Sequence, residues 1–266
     1  MTIKICLAGA TGWAGSALAR HIAHTDDIEL VSAVSRTHAG GILGNVLGEP
    51  RLTGPIFATA GEALELPCDV YFDYTKPDVA KSNVLTALNH GANVVVGTSG
   101  LSDADYAGIA AEAEERGRAV LAVGNFALTA VLLMKFAEMA ARLIPQWEII
   151  DYASDAKRDA PSGTVRELAT RLSRIRESAL TVPLEETQGV AETRGARMGG
   201  SQVHSVRLPS FVISAEVVFG MTDQRLSIRH DSGSSAEPYV DGALLAIRKV
   251  GSFVGLRRGL DSVLDL

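Results

Sequence analysis

Ile3, Ile5 and Leu7 begin a first strand that runs into Gly9-Ala10-Thr11-Gly12-Trp13-Ala14-Gly15, a G-x-x-G-x-x-G turn opening a helical pattern. A glycine triplet alone says little; its place after a strand and before a helix is what constrains the fold. Glycines let the backbone of a strand-to-helix turn approach a pyrophosphate, whose charge meets the unpaired N–H groups and positive dipole end of the helix. The alternative, a merely tight structural turn, needs no particular setting, and this one has the right setting. A helix is predicted from about Trp13 to His24 and a strand over Ile28–Val34. A strand over Asp69–Asp73, a helix over Asp78–His90, a strand over Asn93–Val96, a helix from Ser102 to about Arg116 and a strand over Ala119–Val123 follow. Such alternation predicts a parallel sheet with helices on both faces.

The pattern changes near Phe126. A long helix leads to a strand over Glu148–Tyr152, then a helix from Gly163 to Ile175. Glu185 to Gln202 reads as a long loop. Val203–Arg207, Phe211–Phe219 and Arg225–His230 read as an antiparallel meander, and a last helix, about Tyr239–Val254, is expected to return to the first domain.

Which dinucleotide is expected follows from the end of the second strand. An Asp or Glu there takes the ribose hydroxyls of NAD, whereas an Arg accommodates a 2′-phosphate. Here the residues are Ser35-Arg36-Thr37-His38, with no acid. Ser35 and Thr37 offer hydroxyls, and Arg36 can grip the phosphate or lie against the adenine. A solvated loop cation is the bland alternative. NADPH is the expected cofactor, with NADH weaker.

Other users of such a turn fit less well. No Tyr has a Lys four residues on, as short-chain dehydrogenases require, and Cys6 and Cys68 lie too early for the mid-chain nucleophile of semialdehyde reductases. Both cysteines read as buried thiols. His21-x-x-His24 lacks partners at zinc spacing, so no metal is expected. A net charge of −6 argues against nucleic acid or an anionic membrane as partner. The longest apolar stretch, Phe126 to Ile144, carries Lys135, Glu138 and Arg142 and reads as an amphipathic core helix. Nothing resembles a signal peptide, so the expected setting is cytoplasmic.

Further segments add a resemblance. Asp73-Tyr74-Thr75-Lys76-Pro77 and Gly97-Thr98-Ser99-Gly100 each follow a strand, and Asn125-Phe126 opens the long helix. Then comes Lys157-Arg158-Asp159-Ala160-Pro161-Ser162-Gly163-Thr164. Together these resemble the 4-hydroxy-tetrahydrodipicolinate reductase (dihydrodipicolinate reductase) family of bacterial lysine synthesis, over essentially the whole chain. The K-x-D-A-P-S-G-T string is the most specific element. The resemblance implies an α/β fold, with a Rossmann-type parallel-sheet domain from both chain ends (residues 1–125 and 239–266). Between them it implies a central α+β domain with a mostly antiparallel sheet (126–238), for substrate binding and oligomerisation. A homotetramer is implied too. Cofactor contacts are expected at Gly9, Thr11, Gly12, Trp13 and Gly15, at Ser35, Arg36 and Thr37, and at Tyr74 and Thr75. On the nicotinamide side they are expected at Gly97, Thr98, Ser99, Asn125 and Phe126.

Lys157 and its neighbours can also be read on their own chemistry. Pro161 precedes a helix N-cap at Ser162, and Val165, Leu168, Ala169 and Leu172 make the apolar stripe. The helix start offers the N–H of Gly163 and Thr164, and the Thr164 hydroxyl, to an anion; Lys157 adds a point charge. A small carboxylated substrate fits this cradle; an ordinary helix cap beside a surface lysine is the plainer alternative. The family pattern places a His-His pair, proton donor and substrate contact, where Ala153 and Ser154 stand here. It also shows R-G-G-D-I-V-G-E-H where this chain has Arg207-Leu208-Pro209-Ser210-Phe211-Val212-Ile213-Ser214-Ala215. Tyr152, Ser154 or Asp155 could donate a proton instead, or Tyr152 be a core aromatic and Asp155 a loop carboxylate. The expectation is therefore a reductase of another carboxylated C=N or related unsaturated compound. A genuine lysine-pathway reductase is the alternative, and a non-catalytic NADPH-binding sensor is the alternative of another class.

Overall fold

The computed structural model describes residues 2–264; Met1, Asp265 and Leu266, inside the expected terminal domain, lie outside the described residues. In chain order the elements begin β1 (Ile3–Ala8), α1 (Trp13–Ile22), β2 (Ile28–Val34), α2 (Leu43–Leu47), β3 (Ile56–Phe57) and α3 (Ala60–Leu64). Next come β4 (Val70–Asp73), α4 (Pro77–Asn89), β5 (Asn93–Val96), α5 (Asp103–Glu115), β6 (Ala119–Ala122) and α6 (Leu128–Leu143). The rest are β7 (Gln146–Ala153), α7 (Gly163–Ser173), β8 (Ala196–Met198), β9 (Ser201–Arg207), β10 (Ile213–Met221), β11 (Gln224–Ser232), α8 (Val240–Lys249) and β12 (Gly255–Arg258). Two compact units result: Met1–Leu128 with Ala236–Leu266, and Thr129–Ser235.

The first unit holds a seven-stranded sheet in the order β12-β6-β5-β4-β1-β2-β3. Every pairing is parallel, which explains why β4, β5 and β6 are nearly continuous apolar runs: helices cover both faces. Strand order reverses between β1 and β4, so the C-terminal ends of these strands flank a crevice of the kind where Rossmann folds bind dinucleotides. Local chemistry sets the helix starts. Pro77 opens α4, and Ser102 and Asp105 cap α5 reciprocally. Arg248 of α8 holds Asp27 through two bonds of 2.7 and 2.9 Å. The last helix is shorter than its sequence suggests: Gly255, at φ +86°, redirects the chain into β12 beside β6. β12 is illegible as a strand because it is an edge piece of four residues, two of them arginines. Arg258 lies over the Tyr106 ring at 4.3 Å and Arg257 over Phe253 at 4.4 Å.

The second unit is a five-stranded sheet, β11-β10-β7-β9-β8, with one parallel pairing, β7 with β9. Strict alternation buries Trp147, Ile149, Asp151 and Ala153 on one face of β7, and Trp147 and Ile149 pack with Leu133, Met134, Leu168 and Leu172 of α6 and α7. The expected meander is corrected here. β9 and β10 are not neighbours, because β7, the strand whose buried face is richest, takes the place between them. The expected loop from Glu185 to Gln202 is corrected in part. β8 and β9 form a hairpin closed by Gly199 and Gly200, at φ +54° and +75°, the left-handed pair that a tight two-residue turn needs. Among the described residues no helix is long and apolar enough to cross a membrane.

Gly242 of α8 sits under the backbone of Phe126, where an added Cβ would be 1.9 Å from the Phe126 carbonyl oxygen. Gly242→Ala should therefore lower unfolding free energy by about 1–3 kcal/mol, as overpacking does. Gly61→Ala in α3, where a Cβ meets nothing within 4 Å, should be neutral or gain about 0.4–1 kcal/mol. Urea denaturation of both variants checks this.

Candidate functional site

In the first unit the β1–α1 turn leaves no room for side chains. A Cβ on Gly9 (φ +76°) would stand 2.3 Å from the Tyr74 carbonyl oxygen, and one on Gly15 would stand 2.2 Å from that of Gly9. Gly12, the N-cap, is different: a Cβ there meets only the Gly9 oxygen, at 3.1 Å, so its open side is free for a ligand. No side chain caps α1 and no acid lies in its first turn, leaving the first N–H groups and the dipole end to an anion. Beside this turn lies a cavity of about 420 Å³, lined by Gly9, Gly12, Ser35, Arg36, Thr37 and Lys76 among others. Thr11 and Ser35 share a hydroxyl bond of 2.8 Å, which ties the glycine turn to the end of β2. Arg36 is exposed. Lys76, which sequence reasoning passed over as a site residue, brings a second cation to the same cavity. The signal was its place immediately before Pro77, the first residue of α4, in the segment that leaves β4 at the strand-order reversal.

A smaller cavity, about 200 Å³, is lined by Trp13, Thr75, Gly97, Thr98 and Ser99 as well as Gly12. Gly97 is required by packing, since a Cβ there would strike the rings of Tyr74 and Phe126. These rings meet edge to face at 5.6 Å, and burial raises the Tyr74 phenol well above its usual range. Asn125 accepts the Ala127 N–H at 2.9 Å. Trp13 stays 61% exposed and meets the Tyr239 ring in a T-shaped contact at 5.7 Å. Asp73, also missed, is fully buried and bonds both Thr75 and Thr98. A carboxylate ending the otherwise apolar strand Val-Tyr-Phe-Asp was its signal. Burial pushes the Cys6 thiol up to about 12 and that of Cys68 to about 11, which makes both poor nucleophiles.

The second unit brings Lys157 and the start of α7 together through a buried ion pair. Ser162 is the N-cap, its hydroxyl accepting the Val165 N–H at 3.4 Å. Its own N–H donates to Asp151 Oδ2 at 2.9 Å, which anchors Ser162 in place, and Gly163 and Thr164 supply first-turn N–H groups free of helical partners. Arg207 donates to the same Asp151 oxygen at 2.7 Å and to the Asp159 carbonyl at 2.9 Å, clamping the loop that carries Lys157. Lys157 itself reaches Asp159 at 2.6 Å, and that bond, with smaller charge contributions, holds the Asp159 carboxyl below its usual range.

The three candidate proton donors lie at the end of β7 and in the loop that follows it. Tyr152 lies on the opposite face of β7 from Asp151, donating to Glu216 at 3.0 Å and stacked 5.0 Å from Phe211. Burial, then the bond to Glu216, raise its phenol. The Ser154 hydroxyl donates to Asp155, which is exposed. Ala153 is completely buried.

Arg207→Met would leave the wholly buried Asp151 carboxylate without its cation. Breaking such a pair from one side should destabilise by about 3–5 kcal/mol, and adding Asp151→Leu should recover part of that loss. Urea unfolding of the single and double variants tests this.

Comparison with known proteins gives concordant matches. The family model described as dihydrodipicolinate reductase, N-terminus, matches residues 3–126, and that described as dihydrodipicolinate reductase, C-terminus, matches residues 129–264. A 4-hydroxy-tetrahydrodipicolinate reductase of Bacillus pumilus is 38% identical over 265 residues, covering 99% of this chain and 98% of that protein. The enzyme of that name from Halalkalibacterium halodurans is 37% identical over 264 residues, covering 99% and 100%. Among solved structures, a dipicolinate-bound dihydrodipicolinate reductase from Paenisporosarcina sp. TG-14 superposes with a TM-score of 0.88 at 29% identity, over 99% of this chain and 100% of that one. An amine dehydrogenase from Mycobacterium smegmatis (TM-score 0.70, 14% identity, covering 100% and 97%) shares the fold.

Proposed function

The chain belongs to the dihydrodipicolinate reductase family, and from that premise we propose that it reduces 4-hydroxy-tetrahydrodipicolinate, the compound in its relatives' names, preferring NADPH to NADH. It is an NAD(P)H-dependent oxidoreductase, and the sensor alternative gives way to that. The observation that carries the substrate class is the free start of α7 with Lys157 beside it. Backbone N–H groups and a flexible ammonium suit a carboxylate.

The bound nicotinamide supplies a hydride; the chain's residues bind, orient and exclude. In this reading the N–H groups after Gly12 take the pyrophosphate. Arg36 and Lys76, with the hydroxyls of Ser35 and Thr37, take a 2′-phosphate. Thr75, Gly97, Thr98, Ser99 and the backbone at Asn125 and Phe126 receive the nicotinamide end. Gly163, Thr164 and Lys157 hold a substrate carboxylate, which displaces Asp159 from the lysine. The resemblance carries a homotetramer and a cytoplasmic setting into the same proposal, and its assignment of these residues stands with it.

A second reading rests on one observation. Reduction of a C=N bond needs a proton as well as a hydride, and Ala153 and Ser154 stand where the resemblance places the histidine pair. A lost general acid slows such a step by roughly 10²–10⁴. A preformed iminium carboxylate escapes that penalty, which is the case for a changed substrate. The full-length likeness to enzymes named for the lysine-pathway compound favours that compound over the changed one.

Two measurements follow. NADPH should bind at least several-fold tighter than NADH in calorimetric titrations, and Arg36→Ala should narrow the gap; equal dissociation constants in the intact protein would remove the preference. In steady-state assays with NADPH, 4-hydroxy-tetrahydrodipicolinate should turn over at about 1 s⁻¹ or faster, ahead of a cyclic iminium carboxylate. Lys157→Ala should raise its KM roughly tenfold or more through loss of a charge-assisted contact. Faster turnover of the iminium compound would install the second reading instead.

A further inference from the structure

Asp73 closes β4, fully buried, yet its carboxylate is surrounded by donors. Oδ1 accepts the Thr75 N–H at 3.0 Å, the Thr75 hydroxyl at 2.7 Å and the Thr98 hydroxyl at 2.6 Å. Oδ2 accepts from the Asn83 amide at 3.1 Å and the Tyr71 hydroxyl at 3.4 Å. Thr75 leaves β4 and Thr98 leaves β5, so one carboxylate ties together the turns after two adjacent strands. Both threonines also line the 200 Å³ cavity beside Gly12.

The chemical consequence comes from counting protons. A threonine hydroxyl has one proton and two lone pairs. Each of these two protons is donated inward, to Asp73. Neither hydroxyl therefore keeps a proton to donate to the cavity that both threonines line, and each can only accept there; on Thr75 one lone pair is already partly engaged by the Asn83 amide at 3.5 Å. Two oxygens that can only accept repel a phosphate or a carbonyl oxygen and select an N–H or O–H donor.

We propose that Asp73 is a positioning residue that fixes Thr75 and Thr98 as obligate acceptors, and that the group they select is the carboxamide NH₂ of the nicotinamide ring. This deepens the cofactor reading above and rests on it, specifically on the nicotinamide end lying at Thr75 and Gly97–Ser99. The hydroxyls of the adjoining ribose are the other donors at that end of the cofactor, and the test separates the two.

The probe is the 3-acetylpyridine analogue of the reduced dinucleotide, which keeps both riboses and the ring carbonyl but replaces NH₂ by a methyl group. Calorimetric titration of the wild-type protein should give roughly three- to tenfold tighter binding of the carboxamide form, the size of one neutral hydrogen bond. In Asp73→Asn the new amide donates a proton into the pair and frees one hydroxyl to turn outward. The preference should then fall toward one, while ADP-ribose, which lacks the ring, binds as before. Thr98→Val, which deletes one acceptor, should lower the preference as well and serves if Asp73→Asn does not fold. Equal wild-type affinity for the two dinucleotides overturns the proposal and points to a ribose hydroxyl; so does an unchanged preference in a folded Asp73→Asn or Thr98→Val protein. Failure of ADP-ribose to bind the wild-type protein would overturn the underlying cofactor reading instead.

Discussion

Everything at the dinucleotide site depends on how closely the backbone leaving β1 passes the backbone leaving β4. Gly9 donates its N–H to the Val34 oxygen at 2.9 Å, and Tyr74 donates to the Ala8 oxygen at 3.0 Å. The ends of β2, β1 and β4 are thus stitched into one rung just where the strand order reverses. That rung is possible only if residue 9 has no side chain, because the Tyr74 carbonyl occupies the place a Cβ would take. Once it exists, Ser35, Thr75 and Lys76 are carried to the rim of the same cavities without further design. Gly15 extends the constraint by letting the helix start close on the turn.

Both units organise a loop after a strand around a fully buried aspartate late in that strand. Asp73 ends β4 and takes donors from the following turn on Oδ1 and from Asn83 of α4 on Oδ2. Asp151, two residues before the end of β7, holds the N-cap residue of α7, with Arg207 as its counter-charge. The two differ in completeness. Asp151 Oδ1 and Arg207 Nε have no hydrogen-bond partner within the protein. A buried acid that receives a backbone N–H fixes a loop more sharply than apolar packing could, because the bond has a direction as well as a depth.

Much of this was legible in the sequence, for physical reasons that also mark where legibility ended. The parallel core strands read clearly because burial on both faces forces apolar runs such as Asn93–Val96. The cap at Ser162 read clearly because Pro161 and the stripe from Val165 to Leu172 bracket it. Strand order in the second unit did not, since β9 and β10 follow one another in sequence but are parted by β7, and no local pattern encodes a non-local pairing. The hairpin of β8 and β9 hid inside a polar stretch whose only cue was Gly199-Gly200. Asp73 and Lys76 were overlooked because their value lies in what the neighbouring strands bring to them. The proton donor was sought among Tyr152, Ser154 and Asp155 by sequence proximity, whereas strand alternation turns Tyr152 to the other face.

The sheet of the first unit draws its last strand from the far end of the chain, and this sets an order of events during synthesis. Strands β1 to β6 leave the ribosome early, with β6 at the border of the growing sheet and its outer backbone groups unpaired. The whole second unit is translated before residues 255–258 emerge to cover that border. A nascent chain therefore carries an open β edge from residue 122 until residue 255, the kind of surface on which chains associate wrongly. β12 acts as a closing seal, so C-terminal truncation would damage the cofactor-binding unit, far along the sequence from the glycines that define it.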